Sequence, residues 1–192
     1  MTTIRSASEV PWDDVVRVFS TPGDPKGCWC QYFKVTGRDW EASDAAVFST
    51  ALHDQTRRNS PTPGLIAYVD GQPAGWVAVE PRDNYPRLRR SRVVTGGSSE
   101  DWGDASVWSI VCFVVRRDFR HRGLARELVT AAVEHARAGG ARVVEAYPVD
   151  VAQLSGSPAG SLYHGTVAMF REAGFGETPV ASSARRVMAL AV

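Results

Sequence analysis

Residues 107–115 form a strongly apolar run, Val-Trp-Ser-Ile-Val-Cys-Phe-Val-Val, which no charged side chain interrupts. A short run of this kind is typical of a strand that is buried on both faces of a sheet. Downstream, apolar side chains recur at helical spacing until Gly139-Gly140: Leu124, Leu128, Val129, Ala132, Val133 and Ala136. Residues 142–147 then have the composition of another strand. Strand, helix and strand in this order predict a mixed sheet with helices on its faces, of class α/β or α+β.

The rest of the chain adds further strands and helices. The clearest hairpin lies at residues 64–80, where two alternating apolar runs flank the Asp70-Gly71 turn. The other predicted elements are a strand over 3–8, helices over 11–20, 39–58 and 161–173, and a closing strand over 185–192. Residues 28–33 have an extended, aromatic character. Residues 81–104 form a long polar excursion, and such loops are usually functional or disordered.

Composition narrows the class of protein. The chain has 192 residues, of which 44% are hydrophobic and 22% are charged, as is typical of a globular domain. A net charge of +1 gives no reason to expect nucleic acid as a partner. There is no apolar run of the roughly 20 residues that cross a bilayer, and no apolar signal core. Because three cysteines without an export signal indicate free thiols, we predict a single cytoplasmic domain over 1–192, with no membrane partner.

The junction between the apolar strand and its helix is unusually basic, reading Arg-Arg-Asp-Phe-Arg-His-Arg-Gly over residues 116–123. A helix start offers backbone N–H groups without intrahelical partners, and these bind anions. Gly123 lets a phosphate approach the backbone, and Arg120, Arg122 and Arg126 can add charge-assisted bonds. A glycine that only eases a tight turn explains the same pattern. The nucleotide motifs Gly-Lys-Ser/Thr and GxGxxG are absent.

The junction resembles the acyl-CoA loop of the GNAT N-acetyltransferases. The motif Arg120-x-x-Gly123-x-Ala125, after the strand residues 113–115, is similar to that family's Arg/Gln-x-x-Gly-x-Gly/Ala. The order of elements and the late Ala173-Gly174-Phe175 extend the resemblance over nearly the whole chain. It implies the GNAT fold, a central, mostly antiparallel sheet with flanking helices. In that fold the parallel fourth and fifth strands splay apart.

The resemblance also implies the ligand and part of the site. Acetyl-CoA is expected as the acyl donor, without a metal, and an amine of a small molecule or a protein as the acceptor. The strand backbone would pair with the pantetheine arm at Phe113, Val114 and Val115. The backbone amides of the junction would hold the pyrophosphate at Arg120, His121, Arg122, Gly123, Leu124 and Ala125. Dimerisation is common in this fold, and the sequence leaves a homodimer open.

The chain departs from the family pattern where catalysis is expected. Many members carry a tyrosine in the last helix that protonates the departing thiolate, whereas this chain has Phe170. Tyr163 lies seven residues earlier, about two helical turns, and would share a face with Phe170. It is therefore a candidate for cofactor contact or for the general acid, and a tyrosine packed at the core edge is the alternative. Some members carry a glutamate base on the fourth strand, where this chain has Ser109.

Three side chains remain as candidates for proton transfer. Glu80 ends the hairpin, Glu145 lies on the strand after the helix, and His164 has a side chain suited to proton transfer at neutral pH. A structural histidine is the alternative for His164, and ordered water can also relay the amine's proton. The function predicted is N-acetyl transfer by direct attack of the amine. The alternatives are an acyl-CoA-binding regulatory module and a transferase for longer acyl chains.

Two further segments bear on the acceptor. The Cys28-Trp29-Cys30 stretch lacks the second Cys/His pair of a zinc site, so packing over the acceptor side of the cleft is expected. Cys112 is expected to be a small core residue. In the 81–104 excursion, Trp102 is expected either to close over a bound substrate or to lie in a solvated loop. If it closes, Glu100, Asp101 and Asp104 would favour a cationic amine.

Overall fold

The computed structural model describes residues 1–23, 25–58, 61–154, 162–178 and 184–192. Among them, strands form at β1 (Thr2–Ser6), β2 (Leu65–Val69), β3 (Gln72–Pro81), β4 (Val107–Val115), β5 (Val143–Ala146), β6 (Gly176–Glu177) and β7 (Met188–Ala191). The helices are α1 (Trp12–Phe19), α2 (Pro25–Cys28), α3 (Gly37–Glu41), α4 (Ala45–Arg57), α5 (Arg92–Gly97), α6 (Leu124–Ala138) and α7 (Val167–Glu172). None of the described helices is long and apolar enough to cross a membrane.

The seven strands make one mixed sheet in the order β1-β2-β3-β4-β5-β7-β6. Only β4 and β5 are parallel, and the other neighbouring pairs are antiparallel. The long helix α6 connects the two parallel strands, as a parallel pair requires. The predicted fold class is therefore confirmed. The two-residue strand β6 is missing from the sequence prediction.

Both faces of the central strands are covered. On β3, Val77 and Val79 belong to the core layer beneath α6, where they pack with Leu128. Trp76, one position out of phase with them, belongs to the opposite layer together with Phe19 of α1. This double burial explains why β4 carries an uninterrupted apolar run rather than an alternating one.

The helix predicted over 39–58 is two helices. Asp44 interrupts it, because its Oδ1 accepts hydrogen bonds from the backbone N–H groups of Ala46, at 2.9 Å, and Val47, at 3.0 Å. These bonds make Asp44 the N-cap of α4. The helix predicted over 161–173 is also shorter, since α7 begins at Val167 and Ser161 lies outside the described residues.

Two segments, 28–33 and 81–104, differ from their predicted conformation and consist of turns and short helices. Residues 28–33 are not extended: α2 ends at Cys28, and Trp29 and Cys30 follow with φ values of 45° and 53°. Such left-handed angles cost about 1–2 kcal/mol for a residue with a Cβ and are retained where packing holds them. The 81–104 excursion contains two 3₁₀ turns and α5, and it is not a structureless loop.

Candidate active site

The edge of β4 is open where the predicted cofactor strand lies. The pairing of β4 with β5 runs from Val107 to Ile110 and ends there, whereas β4 continues to Val115. A register shift against β3 near Val111 marks the same point. On the β5 side, no strand among the described residues pairs with the backbone of residues 113–115. An extended ligand arm can pair with them as a further strand would.

The glycine junction forms a turn that leads into α6. Gly123 is the N-cap of this 15-residue helix with φ 81°, and His121 two residues earlier has φ 61°. The first i→i−4 bond is donated by the N–H of Glu127 to the Gly123 carbonyl. A Cβ built on Gly123 would meet no atom within 4 Å, so the space in front of the helix start is open. The junction therefore fits an anion held by backbone N–H groups.

The arginines of the junction differ in their partners. The Nε of Arg120 donates a hydrogen bond to the Val115 carbonyl at 3.0 Å, which fixes the junction to the end of β4. The Arg122 guanidinium lies 5.7 Å from the Phe119 ring centre. Arg126 is paired with Glu172 on α7, with its Nε 2.9 Å from the carboxylate. Arg120 and Arg122 thus remain the candidates for additional phosphate contacts.

A cavity of about 1270 Å³ joins the glycine junction to an aromatic surface formed by Tyr32, Phe33 and Trp40. All predicted cofactor residues except Arg122 line it, namely Phe113, Val114, Val115, Arg120, His121, Gly123, Leu124 and Ala125. The segment predicted to shape the acceptor side also lines it, through Cys28, Cys30, Tyr32 and Phe33. Two further residues line it, Trp40 and Cys112, of which Cys112 was expected to be a core residue. Nothing local could have marked them, because both lie at positions with core-like apolar patterns.

Tyr163 lines the cavity, but not for the reason predicted. It lies in a 3₁₀ turn over Leu162–His164, and Gly165, with φ 77°, separates this turn from α7. The prediction that Tyr163 shares a helical face with Phe170 is therefore wrong. The Phe170 ring is buried, 6.0 Å from that of Phe113 in the core.

The environment of the Tyr163 hydroxyl keeps its proton in place at neutral pH. Burial raises the pKa of Tyr163, while the charge and a hydrogen bond of Arg185 oppose the shift. The group is therefore protonated at neutral pH, and a cation stands beside it to stabilise a phenolate that forms after proton loss.

His164 and Glu80, two further candidates for proton transfer, are not among the described residues that line the cavity. His164 is buried, and its ring lies 4.1 Å from that of Tyr163 and 5.5 Å from that of Phe33. Burial lowers the pKa of His164 to about 3, with Arg185 adding to the effect. Glu80 is buried in an ion pair with Lys34 and accepts a hydrogen bond from Asn84 at 3.0 Å. Burial raises the pKa of Glu80, and Lys34 opposes that shift.

Glu145 belongs to a buried polar network instead of the cavity. Its Oε2 accepts hydrogen bonds from the Arg82 Nη1 at 3.1 Å and from the Tyr147 hydroxyl at 3.0 Å. The Tyr147 hydroxyl is 2.8 Å from the Ser109 hydroxyl, and the Ser98 hydroxyl donates to the other oxygen of Glu145. These hydrogen bonds occupy the Glu145 carboxylate and hold the 81–104 excursion against β4 and β5.

Trp102 and the acidic side chains near it serve the same excursion. The Trp102 ring lies 4.3 Å from the Arg82 guanidinium and does not line the cavity. Glu100 and Asp104 both form ion pairs with Arg142. In this structure none of Trp102, Glu100, Asp101 and Asp104 lines the cavity, and the contacts with Arg82 and Arg142 hold Trp102, Glu100 and Asp104 in the excursion. Among the described residues there is no group of three or more His, Cys, Asp or Glu that could hold a metal ion.

Comparison with known proteins agrees with this geometry. Solved structures with the same fold include a ribosomal-protein-alanine N-acetyltransferase from Brucella melitensis, 17% identical, with a TM-score of 0.58 over 99% of each chain. The paiA N-acetyltransferase of Thermoplasma acidophilum, in complex with coenzyme A, is 11% identical, with a TM-score of 0.57 over 100% of this chain and 99% of its own. The yncA protein of Salmonella typhimurium, solved with its cofactor acetyl-CoA, is 16% identical, with a TM-score of 0.55 over 99% of this chain and 93% of its own.

Sequence comparison gives the family directly. No curated protein matches the chain at a significant level. The family model described as "Acetyltransferase (GNAT) family" matches residues 29–164, which include the aromatic surface, the open strand edge, the glycine junction and Tyr163. The chain belongs to the GNAT family of acetyltransferases.

Proposed function

We propose that the protein is an N-acetyltransferase that moves an acetyl group from acetyl-CoA to a small-molecule amine. The observation that carries this proposal is the cavity of about 1270 Å³, which joins the glycine junction to the aromatic surface. Its continuity supports the binding of a donor and an acceptor next to each other. Two related structures, one with coenzyme A and one with acetyl-CoA, support the same donor.

In this proposal the chain's backbone holds the donor. Residues 113–115 pair with the pantetheine arm along the open edge of β4, and this pairing positions the thioester carbonyl. The backbone N–H groups of residues 120–125 hold the pyrophosphate at the start of α6. Because a thioester is already activated, holding an amine next to its carbonyl carbon supplies much of the required barrier lowering. The amine nitrogen bonds to that carbon, the carbon–sulfur bond breaks, and the thiolate leaves.

Tyr163 is the proposed acid that protonates the thiolate. It lines the cavity, it is protonated at neutral pH, and Arg185 is placed to stabilise the phenolate. Tyr163→Phe is expected to lower kcat about 10²-fold, the lower end of the range for general acids, with an unchanged Kd for acetyl-CoA. Tyr32→Phe is the matched control, since it removes the same hydroxyl from another tyrosine of the cavity. An equal fall of kcat in both variants would remove Tyr163 from this role.

A second candidate function is a regulatory module that binds acyl-CoA without turnover. It is favoured by the lack of Asp and Glu among the described residues that line the cavity, and by Phe170 in place of the family's tyrosine. Calorimetric titration with acetyl-CoA, followed by an assay of thiol release with a panel of amines, separates the two. Saturable binding with amine-dependent thiol release is the result expected of the enzyme. Saturable binding without any release identifies the module, and no binding refutes both.

A further inference from the structure

The acceptor half of the cavity has an aromatic and thiol lining, which we call the acceptor wall: Cys28, Cys30, Tyr32, Phe33, Trp40 and Cys112. The inference that follows rests on the proposed function, because it concerns which amine this wall would accept. All six side chains lie on the same cavity as the glycine junction. The wall therefore bounds the space in which an acceptor would meet the thioester.

The rings of the wall are held in fixed positions. Tyr32 meets Phe33 edge to face at 5.0 Å and Trp40 at 5.2 Å, and Trp40 is stacked on Phe48 at 4.7 Å. The Arg87 guanidinium lies 4.1 Å from the centre of the Tyr32 ring. That guanidinium is anchored in turn by hydrogen bonds to backbone carbonyls, one of them at 3.0 Å. A flat ligand that stacks here would not have to order these rings first, which lowers the cost of binding it.

The thiols of the wall act as apolar surface. The left-handed backbone at Trp29 and Cys30 turns the chain so that Trp29 packs on Phe19, with ring centres 5.1 Å apart, while Cys30 lines the cavity. Burial raises the pKa of Cys30, and a hydrogen bond with Cys112 adds to the shift. Neutral thiols are polarisable and pack well against aromatic rings. The wall thus presents an apolar surface to the acceptor.

The charges around the wall disfavour an ammonium group. No described residue that lines the cavity is Asp or Glu, and Glu80 is bound to Lys34. Aromatic faces can bind cations, but Arg87 covers a face of Tyr32 and Phe48 covers a face of Trp40. A cationic acceptor would lose its hydration without gaining a counter-charge and would be repelled by Arg87.

We propose that the acceptor is a small, flat aromatic amine of the aniline type, uncharged at neutral pH, whose ring packs against Tyr32 and Trp40, two rings that meet each other edge to face. Such an amine brings a free electron pair into the cavity, so no side chain has to remove a proton before the attack. Its nitrogen bonds to the thioester carbon and the carbon–sulfur bond breaks. The nitrogen then loses one proton to water, while the thiolate gains one from Tyr163. The products are the N-aryl acetamide and free CoA.

Two isomers with one ring and one amine test the proposal directly. 4-Methylaniline is neutral at neutral pH, whereas benzylamine, of the same formula, is an ammonium ion. At neutral pH we expect kcat/KM for 4-methylaniline to exceed that for benzylamine by at least about tenfold, because the neutral fraction of benzylamine is small. Between about pH 6 and 9 the rate with 4-methylaniline should stay flat, while the rate with benzylamine rises about tenfold per pH unit. A higher kcat/KM for benzylamine, or for a lysine-containing peptide, would overturn the proposal.

Binding without turnover gives an independent readout. Calorimetry with 4-methylaniline on the protein alone is expected to show saturable binding that Trp40→Leu weakens, with an unchanged Kd for acetyl-CoA. Unchanged 4-methylaniline affinity in Trp40→Leu would overturn the assignment to the acceptor wall, as would no binding to wild type. If acetyl-CoA does not bind but 4-methylaniline does, the proposed function fails and the aromatic site stands. If acetyl-CoA binds and only other amines release thiol, the proposed function stands and this inference fails.

Discussion

Replacing Gly123 by Asp is expected to weaken acetyl-CoA binding through charge. A Cβ at this position would meet no protein atom within 4 Å, so the new carboxylate would point into the space proposed for the pyrophosphate. Two unit charges about 5 Å apart repel by about 0.8 kcal/mol in water and about 3 kcal/mol at an effective dielectric constant of 20. Because the junction is exposed, the aqueous value applies more closely, and two phosphate charges give about 2 kcal/mol. This corresponds to an increase in Kd of about 30-fold.

Gly123→Asn separates this charge from the shape of the side chain. Asn and Asp are nearly equal in size, and both tolerate the left-handed φ of 81° better than other residues with a Cβ. The two variants should therefore share a loss of stability of about 1 kcal/mol, checked by thermal unfolding. Calorimetry on both gives the charge contribution as the ratio of their Kd values, which should fall as salt is added. If the two Kd values agree within about twofold at low salt, no anion is bound beside Gly123 and the reasoning is refuted.

The remaining predictions concern stability. Glu145→Gln should lower the free energy of unfolding by about 3–5 kcal/mol in denaturant titration, because it leaves the buried charge of Arg82 uncompensated. Gly165→Ala should cost about 1–3 kcal/mol more than Gly71→Ala. Both glycines have a similar positive φ, but only at Gly165 would a Cβ come within 2.9 Å of a buried ring, that of Phe170. His164 has a folded-state pKa of about 3, so the unfolded state binds its proton first as pH falls below about 6.5. The contribution of His164 to the free energy of unfolding is therefore fully present above that pH. Towards pH 3 it is lost by up to about 1.4 kcal/mol per pH unit, and His164→Gln should reduce this slope.

An exposed ion pair serves as the matched control for Glu145→Gln. Glu134→Gln makes the same change in an ion pair with Arg137 whose partners are about half exposed, and it should cost less than about 1 kcal/mol. Equal losses for Glu134→Gln and Glu145→Gln would contradict the burial argument. An unaltered slope in His164→Gln would mean that other groups cause the acid sensitivity.

The side of the cavity that β4 and the glycine junction line could be predicted from sequence, because its signals are local. The apolar run 107–115, the basic junction and the periodic helix are contiguous, and each depends on the conformation of its own residues. Gly123 illustrates this, since a left-handed residue at a helix start favours glycine wherever the segment is placed. The prediction of β4, α6 and the parallel β4–β5 pair followed from the same contiguous pattern.

The aromatic and thiol side of the cavity could be predicted only in part, from the segment 28–33, because it is assembled from distant segments. Tyr32 and Trp40 come from turns near the N-terminus, Cys112 from β4, and Tyr163 from a 3₁₀ turn close to α7. Helical periodicity placed Tyr163 on the face of Phe170, but Gly165 ends that periodicity with a left-handed angle. Periodicity reports only which face of an element is apolar, so it cannot say which elements meet around a cavity.

The sequence alone determined the order of elements, the parallel central pair and the helix start that fits a phosphate, because propensity, periodicity and glycine conformation act over a few residues. Only the tertiary structure decided which charged groups are already paired with other side chains. Glu145 and Arg82, 63 residues apart, form a buried ion pair, and Glu80 is bound to Lys34. Burial and pairing set what an ionisable side chain can do, and both depend on long-range packing that no local pattern records.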